Sequence, residues 1–168
     1  MTMTMNREQI EQWLKKYKIE NYTIHDNLVV DVNGDVNLYN QKLKVFPFQF
    51  GNVTGYFDCS NNKLTSLQYC PTTVGGRFDC SNNQLTSLQY CPTTVGGGFD
   101  CSENQLTSLQ YCPTTVGRDF DCSDNPFIVT EENEESWLQA IKNGKEVYEY
   151  IKEPTEEITS LYKMLWEV

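Results

Sequence analysis

The chain has 168 residues, 39% hydrophobic and 12% aromatic, with a net charge of −10 and only one histidine. That length suits one domain, and the acidic balance argues against ordinary binding of nucleic acid or an anionic membrane, both of which need a basic surface. No signal peptide or long apolar run stands out, which agrees with an expected place in the cytoplasm.

After MTMTM, read as a disordered or alternative start, Asn6–Lys18 has the spacing of an amphipathic helix. Ile10, Trp13, Leu14 and Tyr17 fall on one face, and Asn6 with Gln9 three residues on can form a capping box. Tyr22–Ile24 and Leu28–Val32 flank His25-Asp26-Asn27 as a hairpin, and Asn33-Gly34 turns the chain onward. His25 sits at the hairpin tip beside Asp26, with no nucleophile suggested nearby. Residues 1–34 thus read as an N-terminal cap made of a helix and a hairpin.

Residues 35–130 are a repeat. FDCSNNKLTSLQYCPTTVGGR is followed by FDCSNNQLTSLQYCPTTVGGG, by FDCSENQLTSLQYCPTTVGRD and by the fragment FDCSDNPFIV. A unit of this size cannot bury its apolar edge alone and must stack on its neighbours. Val74, Phe78, Cys80, Leu85, Leu88 and Cys91 are the inward set of one unit. Shifting the frame back one unit aligns Val36 with Phe57, Leu38 with Cys59, Leu43 with Leu64, Phe46 with Leu67 and Val53 with Val74, with Gln41 at the Asn position. The count is therefore about five coils, with short parallel strands near 35–38, 56–59, 77–80, 98–101 and 119–122. At ~4.8 Å per coil they make a rod roughly 25 Å long. Asn62, Asn83, Asn104 and Asn125 stand where each coil turns inward. Their amides can bond backbone of their own and the next coil, so that the turn is not left unsatisfied. Pro71, Pro92 and Pro113 suit an extended return segment, and the Gly pair before each strand reads as a lengthened, flexible turn.

The seven cysteines form two columns rather than a cluster, without CxxC. That argues against zinc, and an odd number at small-hydrophobe positions argues for buried thiols over a disulfide framework, again pointing to the cytoplasm. Beyond the repeat, residues 131–168 carry ten acids against four lysines and read as an acidic helical C-terminal cap. One helix spans Glu131–Asn143, with Thr130 a possible N-cap and Trp137, Leu138 and Ile141 on its apolar face. Glu146–Ile151 is ambiguous. A final helix opens at Pro154 and carries Ile158, Leu161, Tyr162, Leu165 and Trp166.

Phe78, Cys80, Asn83 and Leu85, and their equivalents in the other units, resemble the L-x-L-x-x-N-x-L pattern of the leucine-rich repeat. The tail L-T-S-L-Q-Y-C-P is similar to its short bacterial form. Trp13–Ile24, Asp31–Leu38 and the repeat together resemble small leucine-rich repeat proteins of bacteriophages and prophages. The resemblance implies an α/β repeat solenoid of phage origin acting in the cytoplasm of a bacterial host.

Function is sought on the strand face, where residues between the inward positions point out. One column reads Tyr56, Arg77, Gly98, Asp119; the next reads Asp58, Asp79, Asp100, Asp121; a third reads Ser60, Ser81, Ser102, Ser123. Stacked carboxylates repel. Either each bonds its adjacent Ser or is simply solvated, or the column awaits a basic surface or a cation. The first column and Asn61, Asn82, Glu103, Asp124 vary while the rest is copied, which is where specificity could be tuned or where drift has acted. Tyr69, Tyr90 and Tyr111 form a second ladder that either packs on its neighbours or offers an aromatic contact surface. There is no phosphate-binding loop or Ser-His-Asp set, and buried cysteines are poor nucleophiles, so no enzyme and no cofactor or metal is expected. The expectation is a non-catalytic module that binds a host protein with a basic patch, such as a defence component, through Tyr56, Asp58, Arg77, Asp79, Asp100, Asp119 and Asp121. The alternatives are an acidic mimic of nucleic acid that inhibits a nuclease or DNA-binding protein, and a structural or assembly protein of the virion.

Overall fold

The structure, a computed structural model, describes residues 5–127, 129–130, 134–142 and 155–166. In chain order the elements are α1 (Arg7–Lys16), β1 (Tyr22–Ile24), β2 (Val30–Val32), β3 (Val36–Asn37), β4 (Phe50–Val53), β5 (Phe57–Asp58), β6 (Thr73–Val74), β7 (Phe78–Asp79), β8 (Thr94–Val95), β9 (Phe99–Asp100), β10 (Thr115–Val116), β11 (Phe120–Asp121), α2 (Glu134–Lys142) and α3 (Glu156–Trp166). They wind a parallel-strand β-solenoid of about 4 turns, with equivalent residues 21 apart.

Each coil contributes two strands, not the one expected. β3, β5, β7, β9 and β11 form a five-stranded parallel sheet, with Phe57 opposite Phe78 and Phe78 opposite Phe99. β2, β4, β6, β8 and β10 form a second parallel ladder, and β1 closes its edge antiparallel to β2. In β6, β8 and β10 the second ladder is the Thr-Val pair that closely follows each Pro. Two β-branched residues favour extended backbone, but a run of two is too short to show a period. The hairpin of β1 and β2 is therefore the first rung of the solenoid. Arg7 donates to the Ile24 and His25 carbonyls at 2.9 and 3.3 Å, covering part of that free edge.

The inward set is as expected. Val74, Phe78, Cys80, Leu85, Leu88 and Cys91 are all buried, as are Val36, Leu38, Phe46 and Val53. The rings of Phe57, Phe78, Phe99 and Phe120 stack near-parallel at 5.7, 5.7 and 5.3 Å between centroids. The seven cysteines are thiols, none in a disulfide. Cys59 and Cys80 donate to the carbonyls of Asp79 and Asp100, and Cys70 and Cys91 to those of Tyr90 and Tyr111. A thiol here fills a small apolar site and also bonds the next coil, which explains Cys over Val or Ala.

The asparagines join coils in one direction. Asn83 Oδ1 accepts from the Leu64 N–H at 2.9 Å, and its Nδ2 donates to the carbonyls of Cys59, Cys80 and Ser81, each at 3.1 Å. Asn62, Asn104 and Asn125 repeat this pattern. The amide reaches back to the preceding coil, not forward as expected. Gln41 replaces an Asn in part: it is exposed, and its side chain keeps the bond to the carbonyl two residues back, that of Tyr39, which Asn62 makes to Ser60. The glycines also need a different account. Gly75, Gly96 and Gly117 are not flexible spacers. A Cβ on Gly96 would fall far inside contact distance of the Gly75 carbonyl oxygen, so these corners are the places where successive coils approach backbone to backbone.

At the N-terminal end, α1 forms as expected. The Asn6–Gln9 capping box is complete, Ile10 and Leu14 are buried, and Trp13 packs edge-on to Phe48 at 5.1 Å. At the other end, buried Trp137 of α2 meets Phe127 edge-on at 4.8 Å, and α3 lies against α2 with Ile158 buried. Leu161 is half-buried, while Leu165 is exposed rather than packed. Residues 1–4, the expected helix start at Glu131 and the segment Glu146–Ile151 lie outside the described residues, as do the side chains of Ile141, Tyr162 and Trp166.

Replacing Asn83 by Ala orphans the buried Leu64 N–H and takes one of two donors from each of the Cys59, Cys80 and Ser81 carbonyls, which keep Asn62, Asn104 and the Asn61 N–H. It should cost ~1–3 kcal/mol in urea unfolding, the range for one unsatisfied buried group. Gly96→Ala should cost ~1–3 kcal/mol through overpacking, whereas Thr94→Ala on the exposed face should stay within ~0.5 kcal/mol in the same assay.

Candidate functional site

Phe and Cys of each F-D-C-S point inward, which leaves Asp and Ser on the outer side of the five-stranded sheet. The strand ends after two residues, so the Ser N–H has lost its place in regular structure and needs an acceptor. Asp58, Asp79 and Asp100 supply it. Each Oδ1 accepts the N–H of the Ser two residues on at 2.9–3.0 Å, and its hydroxyl at 2.6 Å. Asp121 accepts the Ser123 N–H at 2.9 Å. Of the two readings of this column, bonding to the adjacent Ser is the one seen. Turning the chain thus takes one oxygen of each aspartate.

Arg77 engages the other oxygens at the centre of the column. It donates to Asp79 Oδ2 at 3.2 Å and to Asp100 Oδ2 at 2.5 Å. Asp100 is only 8% exposed. Burial pushes its carboxyl above the usual carboxylate range, with the Asp79 and Asp121 charges acting the same way and the two Ser102 bonds opposing. The Arg77 guanidinium also opposes this rise. Arg77, Asp79 and Asp100 are thus one internal cluster. Asp58 and Asp121 flank it, half-buried. Tyr56 and Asp119 are exposed but stand at opposite ends of their column.

The exposed border of this sheet is where the copies differ. Asn61, Asn82, Glu103 and Asp124 are exposed and left-handed, with φ between 49 and 56°. Asn accepts that conformation readily and Glu does not. Asn82 Nδ2 donates to Asn61 Oδ1 at 2.8 Å, a stacked bond that Glu103 cannot donate in its own coil. Lys63, Gln84 and Gln105 are exposed as well, as are Arg77, Arg118 and Asp119. Along the rod the border changes sign. Lys42, Lys63 and Arg77 belong to early coils and Glu103, Asp119 and Asp124 to later ones, with Asp35 and Arg118 the exceptions.

Three further features surround this border. His25 pairs with Asp31, Nε2 to Oδ2 at 2.8 Å, and not with Asp26, which lies 4.0 Å from Arg7. The Asn52 N–H chiefly holds the Asp31 carboxyl below its ordinary range; burial opposes it, and the bond and charge of His25 lower it further. Sequence adjacency hid this pair, because strand pairing brings the two residues together across the hairpin. The cysteine thiols Cys59, Cys70, Cys80, Cys101 and Cys122 are pushed upward chiefly by burial. Among the described residues no group of three or more His, Cys, Asp or Glu is arranged to hold a metal ion, and no helix is long and apolar enough to cross a membrane.

No protein-family model, curated protein or solved structure matches this chain.

The two shifted carboxyls predict opposite pH effects. Asp31, held low, contributes stability above its unfolded value of 3.8 that is lost as pH falls through its folded value. Asp31→Asn should therefore be less stable than wild type at neutral pH, with the gap closing in acid. Asp100, held high, favours the fold below its unfolded value, and that contribution is lost as pH rises through its folded value. Asp100→Asn should gain on wild type as pH rises. Urea unfolding from about pH 3 to pH 7 reads both. Asp79→Lys removes the acceptor for Ser81 and should cost ~1–3 kcal/mol at any pH in that range.

Proposed function

We propose that this chain is a non-catalytic binding module that docks a protein partner through the border of its five-stranded sheet. The carrying observation is internal to the chain. The three full copies differ only at positions bordering that sheet, and the side chains there, Lys63, Arg77, Glu103, Arg118 and Asp119 among them, are exposed. The return half, L-T-S-L-Q-Y-C-P-T-T-V-G, is identical in all three.

Glu103 adds weight to recognition over drift. It places a charge where Asn would suit the backbone better and would continue the Asn61–Asn82 bond. Its charge extends the acidic end formed with Asp119 and Asp124. That end, rather than the Asp79–Asp100 centre already engaged by Arg77, is the complement for a basic patch. Tyr56, at the opposite end, is the candidate aromatic anchor. The upward-shifted, buried thiols support the non-catalytic part of the reading. The leucine-rich repeat type and the phage origin with a host-protein target belong to the same proposal, supported by the Asn placed after each Phe-Asp strand and by the repeat and leader motifs.

Affinity capture with mass spectrometry from cells that make the protein tests this. Wild type and the control Thr86→Ala should recover the same protein. Glu103→Asn/Asp119→Asn/Asp124→Asn should recover about tenfold less, and so should wild type at high salt. Glu103→Asn should itself raise stability by ~0.5–1 kcal/mol, so the loss would not come from unfolding. Equal recovery by the triple variant would remove the acidic border from the account.

A further inference from the structure

The identical return half carries a feature that the fold does not need. Leu67–Cys70 is a β-turn closed by the Cys70 N–H on the Leu67 carbonyl at 2.9 Å, and the same turn recurs at Leu88–Cys91 and Leu109–Cys112. The third residue of each is a tyrosine, with φ of 74, 71 and 67°. Gly or Asn ordinarily fills a left-handed position of this kind, and an aromatic residue there is strained. At Tyr90 and Tyr111 packing does not offset the strain: they are 52% and 55% exposed, and neither takes part in a ring contact among the described residues. Tyr69 is half-buried and packs on the core. The three positions recur once per coil, ~4.8 Å apart.

Beside them runs a trough. A cavity of about 310 Å³ lies between successive coils, lined by Tyr69, Tyr90, Thr72, Thr93, Gln49 and Gln68, with Tyr111 one coil beyond it. It shares Gln49, Gln68 and Tyr69 with a wider apolar groove of about 500 Å³ that reaches Val45 and Phe48. Neither is lined by a charged residue, in a chain with net charge −10. An ionic ligand finds no counter-charge there, and a nucleic acid would be repelled. An extended peptide would need a row of unpaired backbone groups, but those of this edge already join coil to coil. The Tyr69 carbonyl accepts from Phe50, the Tyr90 and Tyr111 carbonyls from Cys70 and Cys91, and the Thr72, Thr93 and Thr114 N–H groups donate to the preceding coil. What the trough offers is a tyrosine ring with its hydroxyl and an exposed glutamine amide (Gln68, Gln89, Gln110), repeated at a spacing close to the length of one sugar ring in an extended chain, while the Thr72 and Thr93 hydroxyls and the Gln49 amide are given to carbonyls of the fold.

We propose that the Tyr69–Tyr90–Tyr111 trough binds a neutral, extended β-linked glycan laid along the rod, about one sugar per coil. Isothermal titration with cellohexaose and with chitohexaose tests it, using maltohexaose, whose α-links coil the chain, and polygalacturonate, which is anionic, as comparisons. At least one β-linked probe should bind and the two comparisons should not. Tyr90→Asn and Tyr111→Asn should each weaken binding about tenfold, while thermal unfolding stays at or above wild type because Asn relieves the left-handed strain. A structural role for the tyrosines would instead lower stability. Absence of heat with both β-linked probes, binding of polygalacturonate in their place, or unchanged affinity in both variants would overturn the proposal.

Discussion

One side-chain amide per coil holds the rod in register. Hydrophobic stacking of Phe57, Phe78, Phe99 and Phe120 supplies the drive to associate, but it is non-directional and tolerates sliding. The buried asparagine is directional. Its two N–H bonds are shared over three carbonyls and its oxygen takes a fourth partner, from two coils at once. A turn that runs inward cannot expose these groups to water, so only the correct alignment satisfies them. The thiols of the two cysteine columns add weaker bonds of the same kind. Every other feature, from the close glycine corners to the outer columns, presupposes that alignment.

How much of this is legible in the sequence depends on the length scale of each signal. The inward set, the five-stranded sheet and the α1 capping box are legible, because repetition and helical spacing carry them over many residues. The second ladder is not, because in the copied units its strands are two residues long and lie in what reads as a connecting segment. The glycines mislead for a related reason. A letter suggests freedom of φ and ψ, but Gly75 and Gly96 are required by a neighbour one coil away that local sequence does not reveal. Adjacency likewise suggests Asp26 as the neighbour of His25, whereas the hairpin delivers Asp31.

The outer face shows the limit of reading function from repeated charges. Four aspartates in a column look like a surface awaiting a partner, yet each answers the N–H of its own Ser first, and Arg77 joins two of them. The letters there are copied because the turn needs them. Positions that vary, such as Asn82 to Glu103, escape that requirement only partly, since the left-handed backbone still selects among them. The tyrosine turns are the reverse case, where an invariant letter sits against the backbone's preference. In a repeat of this kind, conflict between residue and conformation is a better guide to use than charge.

The asparagine bonds span 19 and 24 residues, so they link a coil only to the one before it. No bond in the middle of the rod depends on how many coils lie beyond its neighbours. Gain or loss of a whole unit leaves each junction chemically unchanged, whereas gain or loss of one residue between two asparagines misplaces every later one. Unequal exchange between near-identical units is therefore tolerated by the fold, and rod length becomes a quantity that heredity can adjust in fixed steps while the joints stay the same.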